Sequence, residues 1–176
     1  MDDKVILVDE ANQVVGVAEK MRAHRDGSLH RAFSIFVFNS TRELLIQKRS
    51  AAKYHSANLW SNTCCGHPRP NESIDKAAHR RLNEELGFDC PLKLAFTFTY
   101  KASLGSNLFE HEYDHVFIGL SDQQPSPNPS EVDEWMWVNP QALTTDVKEH
   151  SDNFTCWLKL CLERALDAYG NLAGGS

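Results

Sequence analysis

The chain has 176 residues and a formal net charge of −6, enough length for one domain with a real core. That acidic balance argues against a nucleic-acid or anionic-membrane partner, so any phosphate-binding cations must be placed locally. The N-terminus MDDKVILVDEANQ starts acidic and holds only a four-residue apolar run, which predicts neither a leader nor a membrane span, and five cysteines without regular spacing suit a reducing cytoplasm.

In chain order, Val5–Val8 and Val14–Val17 read as a hairpin joined by DEANQ. The polar stretch KMRAHRDGSLH, Lys20–His30, reads as a loop with a turn at Asp26-Gly27. Ala32–Phe38 and Glu43–Lys48 are strands separated by NST, and Leu59–Ser61 is a short apolar piece. A helix is expected over Ser73–Leu86, closed by Gly87 in the left-handed C′ position. Leu92–Lys101 alternates apolar and polar residues as a half-buried strand does, Leu108–Leu120 is a further strand and Glu134–Val138 another. SDQQPSPNPSEVD between the last two is a surface connection. Phe154, Trp157, Leu158, Cys161, Ala165 and Leu166 follow helical spacing, predicting a helix over Asp152–Tyr169 capped by Ser151 or Asp152. The expected fold is an α/β (α+β) domain over positions 1–170, a mixed sheet sandwiched between helices, with a flexible tail at 171–176.

The stretch with the strongest pattern is NTCCGHPRPNESIDKAAHRRLNEELGF, Asn62–Phe88. Gly66 is followed after five residues by Glu72, after seven more by Arg80, then by Leu82, Glu84, Glu85, Gly87 and Phe88. A glycine loop entering a helix, with carboxylates near one another, suits an anion together with a hard cation such as Mg2+. Arg81 and Glu85 alone would be an ordinary i, i+4 ion pair worth about 0.2–0.5 kcal/mol; the full spacing argues for more. This pattern resembles the Nudix box, with Arg81 where the first metal-binding glutamate of a hydrolase stands. A guanidinium there adds a fork for phosphate and removes a ligand for Mg2+, a change from cleaving a diphosphate towards gripping one.

Outside the box, His24, His30 and His67 each lie in polar segments, where a lone histidine is usually a surface residue. On the strand that carries Glu110 and Glu112, period two puts both carboxylates on one face, roughly 6–7 Å apart, and Asp114 continues that face. A solvated strand face explains the pair equally well. Taken together, three histidines and two glutamates could supply five positions of an octahedral site, with ligand types that accept Zn2+, Mn2+ or Mg2+.

With HRDGSLHRAFS after Lys20, QKRSAAKYHSANLWSNTCCGHPRP, the altered box, FTYKA followed by FEHEYDHVF, EWMWV and the late pair Cys156-Trp157, the chain resembles the type 1, flavin-independent isopentenyl diphosphate isomerases of the Nudix superfamily. The resemblance runs from about Val5 to Ala165. It implies a Nudix-type fold and the interconversion of isopentenyl and dimethylallyl diphosphate, with no flavin. It further implies that His24, His30, His67, Glu110 and Glu112 bind one divalent metal (Mn2+, Zn2+ or Mg2+), and that Glu85 helps hold a second, substrate-borne Mg2+. Cys65 matches the essential cysteine, Tyr100 the tyrosine that assists the acid, and Trp157 the indole of the hydrocarbon pocket. Lys20, Arg49, Lys53 and Arg81 match the diphosphate grip. The expected partner is the small-molecule substrate alone, bound by a monomer or weak dimer.

Moving an unactivated double bond requires an acid and a base near a carbocation. Cys65 and Glu112 are the expected pair, with Glu112 aided by Tyr100 as proton donor and Cys65 as acceptor, although the opposite assignment fits the same residues. A free thiol titrates near about 8.5, so a neighbouring cation would be needed to populate its thiolate. A hydrolase of nucleoside diphosphate derivatives and a non-catalytic Nudix-fold binding module are the competing readings.

Overall fold

A computed structural model describes residues 4–174. It contains a nine-stranded mixed sheet. Strands β1 (Lys4–Val8) and β2 (Val14–Glu19) form the expected hairpin. Helix α1 (Lys20–Asp26) follows, then β3 (His30–Phe38), β4 (Leu44–Arg49), β5 (Trp60–Ser61) and β6 (Cys64–Gly66). Next come α2 (Ile74–Leu86), β7 (Leu92–Gly105), β8 (Leu108–Leu120), β9 (Val132–Val138), α3 (Pro140–Glu149) and α4 (Cys156–Gly174).

The sheet is built around β3, which is buried at every position except Arg31. Parallel strands buried on both faces read as nearly continuous apolar runs, and β3 pairs in parallel with β8 from His30↔Glu112 to Phe38↔Leu120. Phe33–Ile35 pair with β6 as well, so β6 and β8 flank β3 on opposite sides. Alternation along the strand divides the core in two. Phe33, Ile35, Val37 and Phe117 pack with Ala77, Ala78, Leu82 and Leu86 of α2. Phe36, Phe38, Val116 and Ile118 pack on the other face with Leu143 of α3 and Leu158, Cys161 and Leu162 of α4. Each large apolar side chain among them contributes about 1.5–3 kcal/mol on burial. The expected arrangement of a mixed sheet between helices is the one observed.

Helix α2 runs as its pattern predicts: Ser73 Oγ accepts from Lys76 N at 3.4 Å, and Gly87 closes the helix at φ +71°. A side chain at Gly87 would also collide with the Ser126 carbonyl. The Pro-rich connection lies across this helix end, with Ser126 N donating to Leu86 O at 2.8 Å and Asn128 N to Glu85 O at 2.9 Å.

Elsewhere the structure departs from expectation. Lys20–His30 is not a loop: its first seven residues form α1, because Glu19 accepts from Met21 N and Arg22 N and Gly27 provides a left-handed C-cap at φ 62°. Fewer than two turns give too little periodicity to be read. Helix α3 carries a signal that periodicity does not reveal, Asn139 as N-cap followed by Pro140, but Leu143 is its sole buried residue, so its apolar stripe is faint. Helix α4 begins at Cys156 instead of Asp152, since Ser151–Asn153 form a 3-10 turn and Phe154 bridges to Trp60 in extended form. It continues to Gly174, so positions 171–174 belong to a helix and not to a loose tail; 175 and 176 lie outside the described residues. Strand β7 extends to Gly105 and β9 starts at Val132, both beyond the predicted limits.

Candidate active site

Four elements converge at one end of β3. Helix α1 carries His24, β3 opens with His30, the loop after β6 carries His67, and β8 brings Glu110 and Glu112. One ligand atom from each of the five lies within 4.8 Å of all the others. Period two places Glu110 and Glu112 on one face; the parallel register with β3 sets Glu112 beside His30. The histidines are not surface residues, since His24 and His30 are fully buried.

The second ring nitrogens explain the orientation. His24 Nδ1 donates to Lys20 O at 2.7 Å and His30 Nδ1 to Ser28 O at 2.8 Å. A carbonyl can only accept, so the proton sits on Nδ1 and the Nε2 lone pair faces the cluster. Burial lowers the pKa of His24 and pushes that of His67 down to about 3, keeping both rings neutral. His24 Nε2 and Glu110 Oε2 stand 3.2 Å apart, and neither has a hydrogen-bond partner among the described residues. An ionised carboxylate facing an imidazole lone pair in a dry interior is costly, and the donor set suits a divalent cation. Burial and the neighbouring Glu112 raise Glu110 well above the ordinary carboxylate range. Burial also pushes Glu112 upward, but its contacts with the neighbouring imidazoles, above all His67 at 2.9 Å, outweigh this and hold it low.

Glu112 is tied on both oxygens. Oε1 lies 2.9 Å from His67 Nε2, and Oε2 accepts from the Tyr100 hydroxyl at 2.7 Å. Tyr100 reaches it because it pairs directly with Glu112 across the β7–β8 ladder. Burial, and then the Glu112 charge, raise the Tyr100 pKa well above its usual value, so the phenol stays a donor.

A cavity of about 360 Å³ opens beside this cluster. Its lining includes Cys65, His67, Glu110 and Glu112, together with Lys20, Arg49, Lys53, Arg81, Glu85 and Trp157. Every predicted site residue except His24, His30 and Tyr100 therefore faces one space, and those three stand directly behind it in contact with Glu110, His67 and Glu112. Cys65 Sγ donates to Asn62 Oδ1 at 3.2 Å, and Trp157 Nε1 to Ser61 Oγ at 2.9 Å. Burial and the Glu85 charge push the Cys65 thiol up to about 12, against the opposing pull of Arg49. Arg49 lies over the Trp157 ring, 5.2 Å from its centroid, a geometry that leaves the indole as one wall of the cavity.

Arg81 has two partners beyond the expected Glu85. Its guanidinium meets Glu84 at 2.8 Å, Glu131 at 3.1 Å and Glu85, and Glu131 also pairs with Lys53. Gly66 is required beside it, because a Cβ there would lie 2.9 Å from Phe33 Cζ and 3.2 Å from Arg81 Cγ. Both Glu131 and His55 line the cavity, and sequence reasoning found neither. They sit in irregular connections, just before β9 and two positions after Lys53, where no periodicity marks them.

The comparisons with known proteins agree with this geometry. A NUDIX domain model matches residues 28–158. The chain is 55% identical over 166 residues to isopentenyl-diphosphate Delta-isomerase 2 of Aromatoleum aromaticum, covering 94% of this chain and 88% of that protein. It is 44% identical over 172 residues to the isopentenyl-diphosphate Delta-isomerase of Nocardia farcinica, covering 97% and 98% of the two chains. Among solved structures, a protein from Deinococcus radiodurans superposes with a TM-score of 0.79 at 22% identity over 93% of this chain and 99% of that one. The MutT protein of Methanosarcina mazei superposes with a TM-score of 0.65 at 18% identity over 78% and 92%; at such identities these two speak for the fold alone. The chain belongs to the NUDIX family and, within it, to the isopentenyl-diphosphate Delta-isomerases.

Proposed function

We propose that this chain interconverts isopentenyl and dimethylallyl diphosphate by adding and removing protons. The observation that carries the reading is the meeting of Cys65 and Glu112 in one cavity, in a chain 55% identical to a named isomerase. They come from β6 and β8, which flank β3, and the register with Ser34 and His30 puts both on one face of the sheet, where they reach the same space from either side of β3.

The reaction needs a proton added to the terminal CH2 of the double bond, which leaves a tertiary cation on the adjacent carbon. Loss of a proton from the methylene on the far side of that carbon then restores the double bond in its new place. Glu112, held by His67 and Tyr100, is the proposed donor once protonated, and Cys65 the proposed acceptor once ionised; the burial that raises the thiol and the bond that holds Glu112 low favour the opposite starting state. In the reverse direction the roles exchange: the thiol, kept protonated by burial, donates, and the Glu112 carboxylate accepts. Trp157 lines the cavity and is proposed to stabilise developing positive charge by about 0.5–2 kcal/mol. Lys20, Arg49, Lys53 and Arg81 supply the diphosphate grip, whose binding energy a five-carbon group alone cannot provide.

His24, His30, His67, Glu110 and Glu112 would hold a divalent metal, proposed as Mn2+, Zn2+ or Mg2+, and Glu85 would help hold a substrate-borne Mg2+. When bound, the metal at the cluster supplies positive charge that fixes and polarises the carboxylates. No flavin is invoked, and the chain is proposed to work in the cytoplasm as a monomer or weak dimer, without nucleic-acid or membrane partners. Among the described residues, no helix is long and apolar enough to cross a membrane.

The test is incubation with isopentenyl diphosphate and Mg2+ in D2O, followed by proton and phosphorus NMR. Dimethylallyl signals with deuterium incorporation and an intact diphosphate are expected. Phosphate release without them would return the chain to the hydrolases, and tight binding without turnover would make it a binding module.

A further inference from the structure

His55 has no role in the chemistry above, yet it touches three parts of the site. Its side chain is 8% exposed, and Nε2 stands 3.3 Å from Glu110 Oε1. The ring stacks on His24 with centroids 5.7 Å apart and meets Trp157 edge-on at 6.0 Å. Glu110 is thereby divided between two neighbours: Oε1 faces His55, while Oε2 faces His24 Nε2 at 3.2 Å. His55 is not among the five residues whose ligand atoms converge. Its backbone matters too, because the carbonyls of His55 and Ser56 accept from Arg49 at 3.3 and 3.1 Å.

We propose that His55 is a positioning residue for the cation site, holding Glu110 with Oε2 turned into the cluster while it supports the edge of Trp157. This rests on the reading of the five-residue cluster as a cation site. A glutamate carboxylate rotates freely about its last torsion, so an unfixed Glu110 would offer either oxygen in many orientations. Contact at Oε1 selects one of them. Partners of this kind around a metal ligand typically account for about 10–100-fold in metal affinity. The same segment carries Arg49 and Lys53, so the ligand's orientation and the proposed diphosphate grip share one short piece of backbone.

The experiment titrates the chelator-stripped protein with Mn2+ alone, read by electron paramagnetic resonance, and measures inorganic pyrophosphate binding separately by calorimetry. His55→Phe keeps a ring without the polar edge, His55→Ala removes both, and His55→Gln keeps an amide nitrogen near the position of Nε2. His55→Phe and His55→Ala are expected to weaken Mn2+ binding by about 10–100-fold. His55→Gln should stay close to wild type, and pyrophosphate binding should hold in all three. Wild-type Mn2+ affinity in a folded His55→Phe or His55→Ala protein would overturn the inference, as would an equal loss in His55→Gln. Failure of the wild type itself to bind Mn2+ would overturn the cation-site reading, and the inference with it.

Discussion

Cys65 lies opposite Ser34 across the β3–β6 ladder, and Cys64 lies opposite Ile35. Alternation therefore sends Cys65 into the cavity and Cys64 into the core beneath α2. A slip of one residue would exchange them. Cys65→Ala is expected to lower isomerisation by about 10²–10⁴-fold, the range for loss of a positioned acid or base, with the melting temperature and pyrophosphate binding little changed. Cys64→Ala should keep its turnover and lose about 1 kcal/mol of stability to the small void it leaves. Steady-state rates and thermal melts of the two variants separate these outcomes, and wild-type turnover in Cys65→Ala would sink the assignment.

Tyr100 and Glu112 supply a second prediction. The phenol donates at 2.7 Å to the carboxylate oxygen that His67 does not engage. Tyr100→Phe leaves that oxygen buried without its donor, at a cost of about 1–3 kcal/mol, and kcat should fall about 10–100-fold with KM nearly unchanged. Glu112→Gln should be more severe, because it removes the proposed proton donor and a cation ligand together. A Tyr100→Phe enzyme with wild-type kcat would show the bond to be structural only.

Much of this arrangement was legible in the sequence because it rests on short-range rules. The spacing from Ser73 to Gly87 marks α2 with its cap and terminating glycine, and period two places Glu110 and Glu112 on one face. What was not legible depends on pairing between distant segments. His24 looked like a loop histidine because α1 is held by Glu19 and Gly27 and has no apolar stripe. Glu131 and His55 lie in irregular connections, and only tertiary packing brings them to Arg81 and Glu110. The residue roles carried by the family resemblance were never readable from periodicity; Trp157, by spacing alone, is a core residue of α4.

The cluster predicts a stability that depends on cations. Stripping divalent metal with a chelator should abolish turnover and lower the melting temperature, since a ligand at 100 times its Kd stabilises the folded state by about 2.7 kcal/mol. Adding back Mn2+, Zn2+ and Mg2+ one at a time should restore both, to different degrees. His67→Ala should lose the response, because its Nε2 lies 3.2 Å from His30 Nε2 and 2.9 Å from Glu112 Oε1. A melting temperature indifferent to chelator and to added metal would count against a resident cation.

Arg80 forks onto Glu72, with Nε donating to Oε1 at 2.7 Å and Nη2 to Oε2 at 2.8 Å, and Glu72 Oε2 also accepts from Arg69 N at 2.8 Å. The pair thus fastens the glycine loop to α2. The Arg80 hydrogen bond holds the Glu72 pKa below its ordinary value of 4.5. A carboxylate lowered on folding contributes stability that is fully present above the unfolded value and is lost as pH falls through the folded one. Glu72→Gln should therefore be less stable than wild type by about 1–2 kcal/mol at neutral pH, between an exposed pair and a buried charged bond. That difference should shrink below pH 4.5 as Glu72 takes up its proton. Denaturant unfolding of both proteins across this range measures it; a gap that persists unchanged into acid would mean that the fork is not what the substitution removes.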